Sequence, residues 1–184
     1  MTSLDRPDLR LRPSWADAVE EFAAAGEEVM HGSGLWDFEH VDTSAAGARL
    51  VVEHLLRQAD PAVEPPEGRV RCTYFWITDG GRDDREFLGY LALRHALTAW
   101  LLEEGGHIGY AVRPSRRREG HASRALALAL PEAAGLGLDR VLLTAKEDNR
   151  PSQLVIEAAG GEYEDTRNGM RRYWVPTAGR GAAP

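Results

Sequence analysis

Thiols and lysines are nearly missing from this sequence: Cys72 is the one cysteine and Lys146 the one lysine in 184 residues. A single cysteine excludes an internal disulfide, and no Cys/His cluster has the spacing of a zinc site, so no metal is expected. Long apolar runs are missing as well. None approaches the ~18 residues of a membrane span, and Met1 to Pro7 lacks the apolar stretch of a signal peptide. A cytoplasmic, soluble chain without a membrane partner is the expectation. Positive charge is in deficit, with 29 acidic residues against 22 basic ones and a formal charge of -7. That balance speaks against a broad nucleic-acid-binding surface. No G-x-x-x-x-G-K-[ST] is present and no G-x-G-x-x-G follows a strand, which disfavours the common nucleotide loops.

What is present describes a packed domain: 43% hydrophobic residues and 5 Trp. The length suits one domain over residues 1–176, followed by a Gly/Ala/Pro-rich stretch, 177–184, expected to be disordered. The alternation Leu9-Arg10-Leu11-Arg12 predicts a short strand, and Ser14 is placed to cap the helix that follows through Trp15, Ala18, Val19 and Phe22 to Gly26. A loop over 26–44 precedes a second amphipathic helix, Ala46 to Gln58, with Leu50, Val51, His54 and Leu55 on one face. Arg71–Ile77 and Glu86–Leu93 read as a hairpin across Asp79-Gly80-Gly81, and Gly106–Val112 as a third strand. A helix from Gly120 to about Gly135, a buried strand Asp139–Ala145, a short helix Ser152–Ala159 and a last strand Arg171–Val175 complete a mixed α/β sheet.

The most informative stretch is Val112-Arg113-Pro114-Ser115-Arg116-Arg117-Arg118-Glu119-Gly120-His121-Ala122. A strand ends, the chain turns, and a helix opens at a glycine. The first N–H groups of a helix have no partner within it and carry partial positive charge, so an anion is favoured there. Gly120 and Ala122 keep the backbone accessible, and three arginines concentrate positive charge in an acidic protein. A solvated basic turn before an ordinary helix is the plainer alternative, since R-x-x-G-x-A is short.

Three features bear on the choice through a family resemblance. Arg117-Arg118-Glu119-Gly120-His121-Ala122 follows a strand and opens a helix. Ile108-Gly109-Tyr110-Ala111-Val112-Arg113-Pro114 precedes it. Asn149 and Ser152 lead into Ile156-Glu157-Ala158-Ala159-Gly160-Gly161. As an ordered set they resemble the GNAT family of N-acetyltransferases, and Gly105-Gly106-His107-Ile108-Gly109-Tyr110 with Arg172-Tyr173-Trp174 resembles a bacterial subgroup of it. The resemblance implies a mostly antiparallel sheet of about six or seven strands, flanked by about four helices, with the fourth and fifth strands splayed at a bulge. It implies an acetyl-CoA-dependent enzyme that acetylates a primary amine of a small molecule or peptide by direct attack, with no metal. A non-catalytic acyl-CoA sensor of the same fold is the alternative, and a homodimer is left open.

Residue by residue, the resemblance implies that the backbone of Ala111 and Val112 pairs with the pantetheine arm. The segment Arg117, Arg118, Gly120, His121, Ala122 and Ser123 holds the diphosphate, while Asn149 and Ser152 support the arm; Asn149 also suits a helix cap. His107 is the general base expected to take the amine's proton, ahead of His95, Glu103 and Glu104, with a structural role inside the sheet weighed evenly against it. The Val112 amide is the expected oxyanion donor. Where relatives often carry a tyrosine for the leaving thiolate, this chain has Ile156, so Ser152, Tyr110 or a water would have to substitute. The acceptor cleft draws on Glu27, Glu28, Trp36, Asp37, Phe38, Glu39 and Trp100, a set that would suit a cationic amine, although the tryptophans could equally be core anchors.

Overall fold

Two apolar clusters lie on opposite faces of one sheet layer, and this explains why its central strands read as nearly continuous hydrophobic runs. The computed structural model describes residues 1–27, 30–80 and 85–177; Glu28, Gly81 and residues 178–184 lie outside them. Strand β1 (Ser3–Asp5) pairs with β2 (Cys72–Asp79), β2 with β3 (Glu86–Arg94) and β3 with β4 (Ile108–Val112), all antiparallel. In β2, Cys72, Tyr74 and Trp76 enter one cluster, and Phe75 and Ile77 the other. Helices α1 (Arg12–Ala24) and α2 (Ala45–Arg57) cover the first face, and α3 (His121–Gly135) the second. A second sheet, in the order β5 (Arg140–Lys146), β7 (Met170–Pro176), β6 (Glu162–Arg167), continues beside β4, with α4 (Arg150–Ala158) between β5 and β6 in the chain. Among the described residues, seven strands and four α-helices in a mixed α/β arrangement match the expected fold class.

Several local expectations change. Leu9–Leu11 is a 3-10 turn running into α1, not a strand. Four alternating residues are too few to define a period, and Pro13 is at home in a helix's first turn. Ser14 is no cap, because its hydroxyl accepts the Phe87 N–H at 2.9 Å and donates to the Leu11 carbonyl. On α2 the inner face is Gly47, Ala48, Val51, Val52 and Leu55, and Leu50 is exposed. Thr177 is buried and bonded to Asp139 and Leu138 rather than part of a loose tail. The bulge expected in the fourth strand sits in the third instead. Ile77 pairs with Gly89 and Thr78 with Phe87, leaving Leu88 as the extra residue, while the β3–β4 register runs without a shift. Among the described residues no helix is long and apolar enough to cross a membrane.

Candidate active site

The two sheets separate between β4 and β5, and His107 closes the narrow end of the gap. Its backbone N–H donates to the Leu142 carbonyl at 2.7 Å, and its Nδ1 accepts the Leu142 N–H at 2.8 Å. The ring is buried, lies beside Trp174 with ring centroids 6.2 Å apart, and does not line the cavity described below. Burial, helped by the Arg94 charge, pushes its pKa down to about 4. The lone pair that a general base must offer is therefore already spent on Leu142, which argues against the base role expected for His107 and leaves the structural one. His107→Ala should cost about 1–3 kcal/mol by orphaning the Leu142 amide. Because folded His107 resists protonation while the unfolded ring takes a proton near 6.5, wild-type stability should fall as pH drops from about 6.5 toward 4. Thermal melts at several pH values should show that decline shrinking in the variant.

Beyond His107 the gap opens. The Arg94 N–H bonds to the His107 carbonyl and the Arg113 N–H to the Leu88 carbonyl, both at 2.8 Å. Antiparallel strands alternate their hydrogen bonds from side to side. The odd-numbered residues of β4 thus face β3, and the backbone groups of Ile108, Tyr110 and Val112 face the gap. Arg117 Nε indeed meets the Val112 carbonyl from that side at 2.9 Å. Ala111, expected to pair with a ligand through its backbone, instead turns those groups toward Tyr90. The gap belongs to a cavity of about 1080 Å³ whose walls include Ile108, Gly109, Tyr110, Leu143, Ala145 and Ser152.

At the far end of β4 the chain makes the anticipated turn. Gly120 takes φ 80° and caps α3 without a side-chain hydrogen bond. The first rung of α3 is the Arg124 N–H to the Gly120 carbonyl at 3.1 Å, so the amides of His121, Ala122 and Ser123 precede the ladder. The arginines are less free than the sequence implied. Arg116 pairs with Glu86, Asp79 and Glu119, and Arg117 makes a two-point contact with Glu27 at 2.7 Å. Arg118 is exposed, with φ 65°. His121 points inward, its Nδ1 beside the Thr2 hydroxyl at 2.9 Å. Arg124, which sequence reasoning passed over, folds its guanidinium back over Gly120 and donates to the Glu119 carbonyl at 2.6 Å.

Asn149 caps α4, its Oδ1 accepting the Ser152 N–H at 3.2 Å, and both residues line the cavity. Ile156 is buried in the apolar cluster and lies off the cavity wall. Tyr110 does line this wall. Its hydroxyl is buried without a hydrogen-bond partner, and burial pushes it up to about 12 while Ser152 pulls the other way.

On the other side of the cavity stand Trp36 and Trp100, 51% and 62% exposed, so neither is a core anchor. The acidic residues expected to greet a cationic amine are mostly engaged: Glu27 by Arg117, Asp37 by Arg69 and His54. Phe38 and Glu39 are not on the wall. His31 is, and no sequence signal marked it. It is carried by a loop in which Gly32 lies directly on the β4 backbone, where any side chain would strike the Gly109 carbonyl. Partial burial, with the Lys146 and Arg94 charges, holds His31 below its ordinary pKa. Among the described residues no cluster of three or more His, Cys, Asp or Glu could hold a metal ion.

Comparison with known proteins agrees with this architecture. The family model described as the acetyltransferase (GNAT) domain matches residues 8–162, and the chain belongs to that acetyltransferase family. Among solved structures, a microcin self-immunity acetyltransferase, MccE, in complex with acetyl-CoA and AMP superposes with a TM-score of 0.65 at 13% identity, covering 95% of this chain and 92% of that one. RimJ of Mycobacterium smegmatis in complex with CoA-disulfide gives 0.64 at 20% identity, covering 95% and 81%. An acetyl transferase of Salmonella typhimurium that modifies the N-terminal serine of a 50S ribosomal subunit protein gives 0.59 at 18% identity, covering 95% and 94%. No curated protein matches the chain.

Proposed function

We propose that this acetyltransferase transfers the acetyl group of acetyl-CoA to a primary amine by direct attack, with the β4–β5 gap as its thioester channel. The observation that carries the reading is the outward edge of β4 at Ile108 and Tyr110, which opens onto the cavity opposite Leu143 and Ala145, with the α3 start, free of a side-chain cap, further along the chain past the end of that strand. That edge offers an extended polar arm the partners of a missing strand. The amides of residues 121–123 suit a diphosphate, with the Arg118 and Arg124 side chains near enough in the fold to add charge. The free Nδ2 of Asn149 and the backbone N–H of Val112 suit the arm between them.

The acetyl-CoA supplies the activated acyl group; the chain positions it and manages a proton. As the C–N bond forms and the C–S bond breaks, the Tyr110 amide donates to the carbonyl oxygen. Tyr110 is preferred to Val112 for this because it lines the cavity, whereas Val112 lies one register step nearer the diphosphate turn. The Tyr110 hydroxyl, protonated at neutral pH, donates a hydrogen bond to the departing sulfur, with Ser152 beside it. His31, neutral at pH 7 and set against β4, accepts the amine's proton.

The reading is tested by calorimetry with acetyl-CoA and by release of free thiol across an amine library. His31→Gln should lower kcat/KM by on the order of 100-fold or more while sparing acetyl-CoA affinity. It should also erase an acidic limb lying below pH 6.5 in the pH–rate profile. An unchanged limb in the variant would return the proton to another group.

A further inference from the structure

The acceptor side of the cavity carries a positive charge that the protein leaves unbalanced. Arg94, at the end of β3, lines the cavity and sits beside Gly109. Its Nη1 donates to the carbonyls of Gly105 and Gly106 at 3.0 and 3.1 Å, which aims the guanidinium. No carboxylate among the described residues comes within ion-pair distance of it, although almost every other arginine near the site is paired. Its register partner Cys72 and the nearby Tyr74 cannot compensate, since burial pushes both acids up, the thiol to about 11, and both stay neutral. A half-buried, unpaired cation is costly to hold and gains most when an anion arrives.

Two neighbours define the rest of the subsite. Glu104 lines the same cavity and immediately precedes the two carbonyls that hold Arg94. Its backbone is tied to β5 through the Thr144 hydroxyl. Trp100 leans over Gly105, whose missing side chain would fall 3.0 Å from the indole ring. A guanidinium and an exposed indole therefore converge on the turn at Gly105, and Glu104 precedes that turn on the same wall.

Resting on the acetyltransferase reading above, we propose that the acceptor is a small amino-carboxylic acid with an apolar side chain. Arg94 receives its carboxylate, Glu104 faces its amine end, and Trp100 packs on its side chain. Arg94 is then the residue that determines specificity. A cationic polyamine meets the wrong charge at this wall.

Free thiol release is measured for leucine, phenylalanine and tryptophan, for their carboxamides, for spermidine and for a short acidic peptide, with acetyl-CoA binding followed in the same samples. The free acids should exceed their amides in kcat/KM by on the order of 30-fold, as one charge-assisted contact allows. That ratio should collapse toward unity in Arg94→Gln and recover in part in Arg94→Lys. The acid-to-amide comparison needs only the wild-type protein, so a poorly folded variant does not weaken it. Equal turnover of acids and amides, a preference for spermidine or the peptide, or no turnover of any free acid by acetyl-CoA-bound protein overturns the proposal. Absence of acetyl-CoA binding would instead overturn the functional reading beneath it.

Discussion

Gly120→Asp should remove measurable acetyl-CoA binding from a protein that still folds. Gly120 adopts φ 80° and caps α3 with no side chain of its own. An added Cβ would fall 2.8 Å from an Arg124 nitrogen, the far end of a flexible chain that can move aside. Aspartate tolerates left-handed backbone better than most residues, so the fold survives at a cost of about 1–2 kcal/mol. The ligand does not fare as well. A carboxylate about 4 Å from a diphosphate repels it by about 4 kcal/mol at the effective dielectric of a protein surface, near a thousandfold in affinity. Gly120→Ala separates backbone strain from charge and should lose only several-fold. Calorimetry on both variants, with circular dichroism to confirm folding, reads the difference; equal affinities for Gly120→Asp and wild type would place the diphosphate elsewhere.

Gly32→Ala should have an effect as large as that of losing His31, and on turnover rather than on binding. The Cβ would collide with the Gly109 carbonyl oxygen and crowd the Ala92 amide at 3.1 Å, both rigid backbone in the sheet, and φ 81° adds strain. The loop must lift off β4, carrying His31 with it. Misplacing a catalytic group by about 1 Å can cost on the order of 100-fold, and kcat should drop by at least that much. Acetyl-CoA affinity should stay within a few-fold, since the diphosphate turn and α4 lie on other elements. A variant with full kcat would detach the loop, and His31 with it, from the chemistry.

These two positions also show what the sequence could and could not disclose. The Gly120 turn was legible because it is local: strand, turn, glycine and helix follow one another within a dozen residues. So were β2 and β3, where alternate residues serve two clusters. The polar strand β6, Glu162–Arg167, was missed because its exposed edge carries no apolar rhythm and it is held by β7, with Asp165 bonded to the buried Arg172. His31 was missed for a different reason. Nothing near it in the chain announces a catalytic group, and its position follows from Gly32 meeting Gly109, a contact between residues far apart in sequence. His107 attracted attention through chemistry that its surroundings cancel: the Leu142 amide occupies the nitrogen that mattered. The arginine triplet misled in the same way, because most of the carboxylates that neutralise Arg116 and Arg117 are remote in the chain: Glu27 just past α1, Asp79 at the end of β2 and Glu86 at the start of β3, with only Glu119 from the turn itself.

The stitch between the half-sheets, His107 to Leu142, has an implication for anyone wishing to reshape this protein. In most enzymes the groove can be widened at the expense of a loop, but here its two walls are the edges of the folded core itself. Engineering a roomier channel along β4 and β5 would loosen the seam that unites the domain, so breadth of acyl donor and thermal robustness should trade against one another. Changes at the Trp36 and Trp100 rim, which carry no share of that seam, are the gentler route to new acceptors.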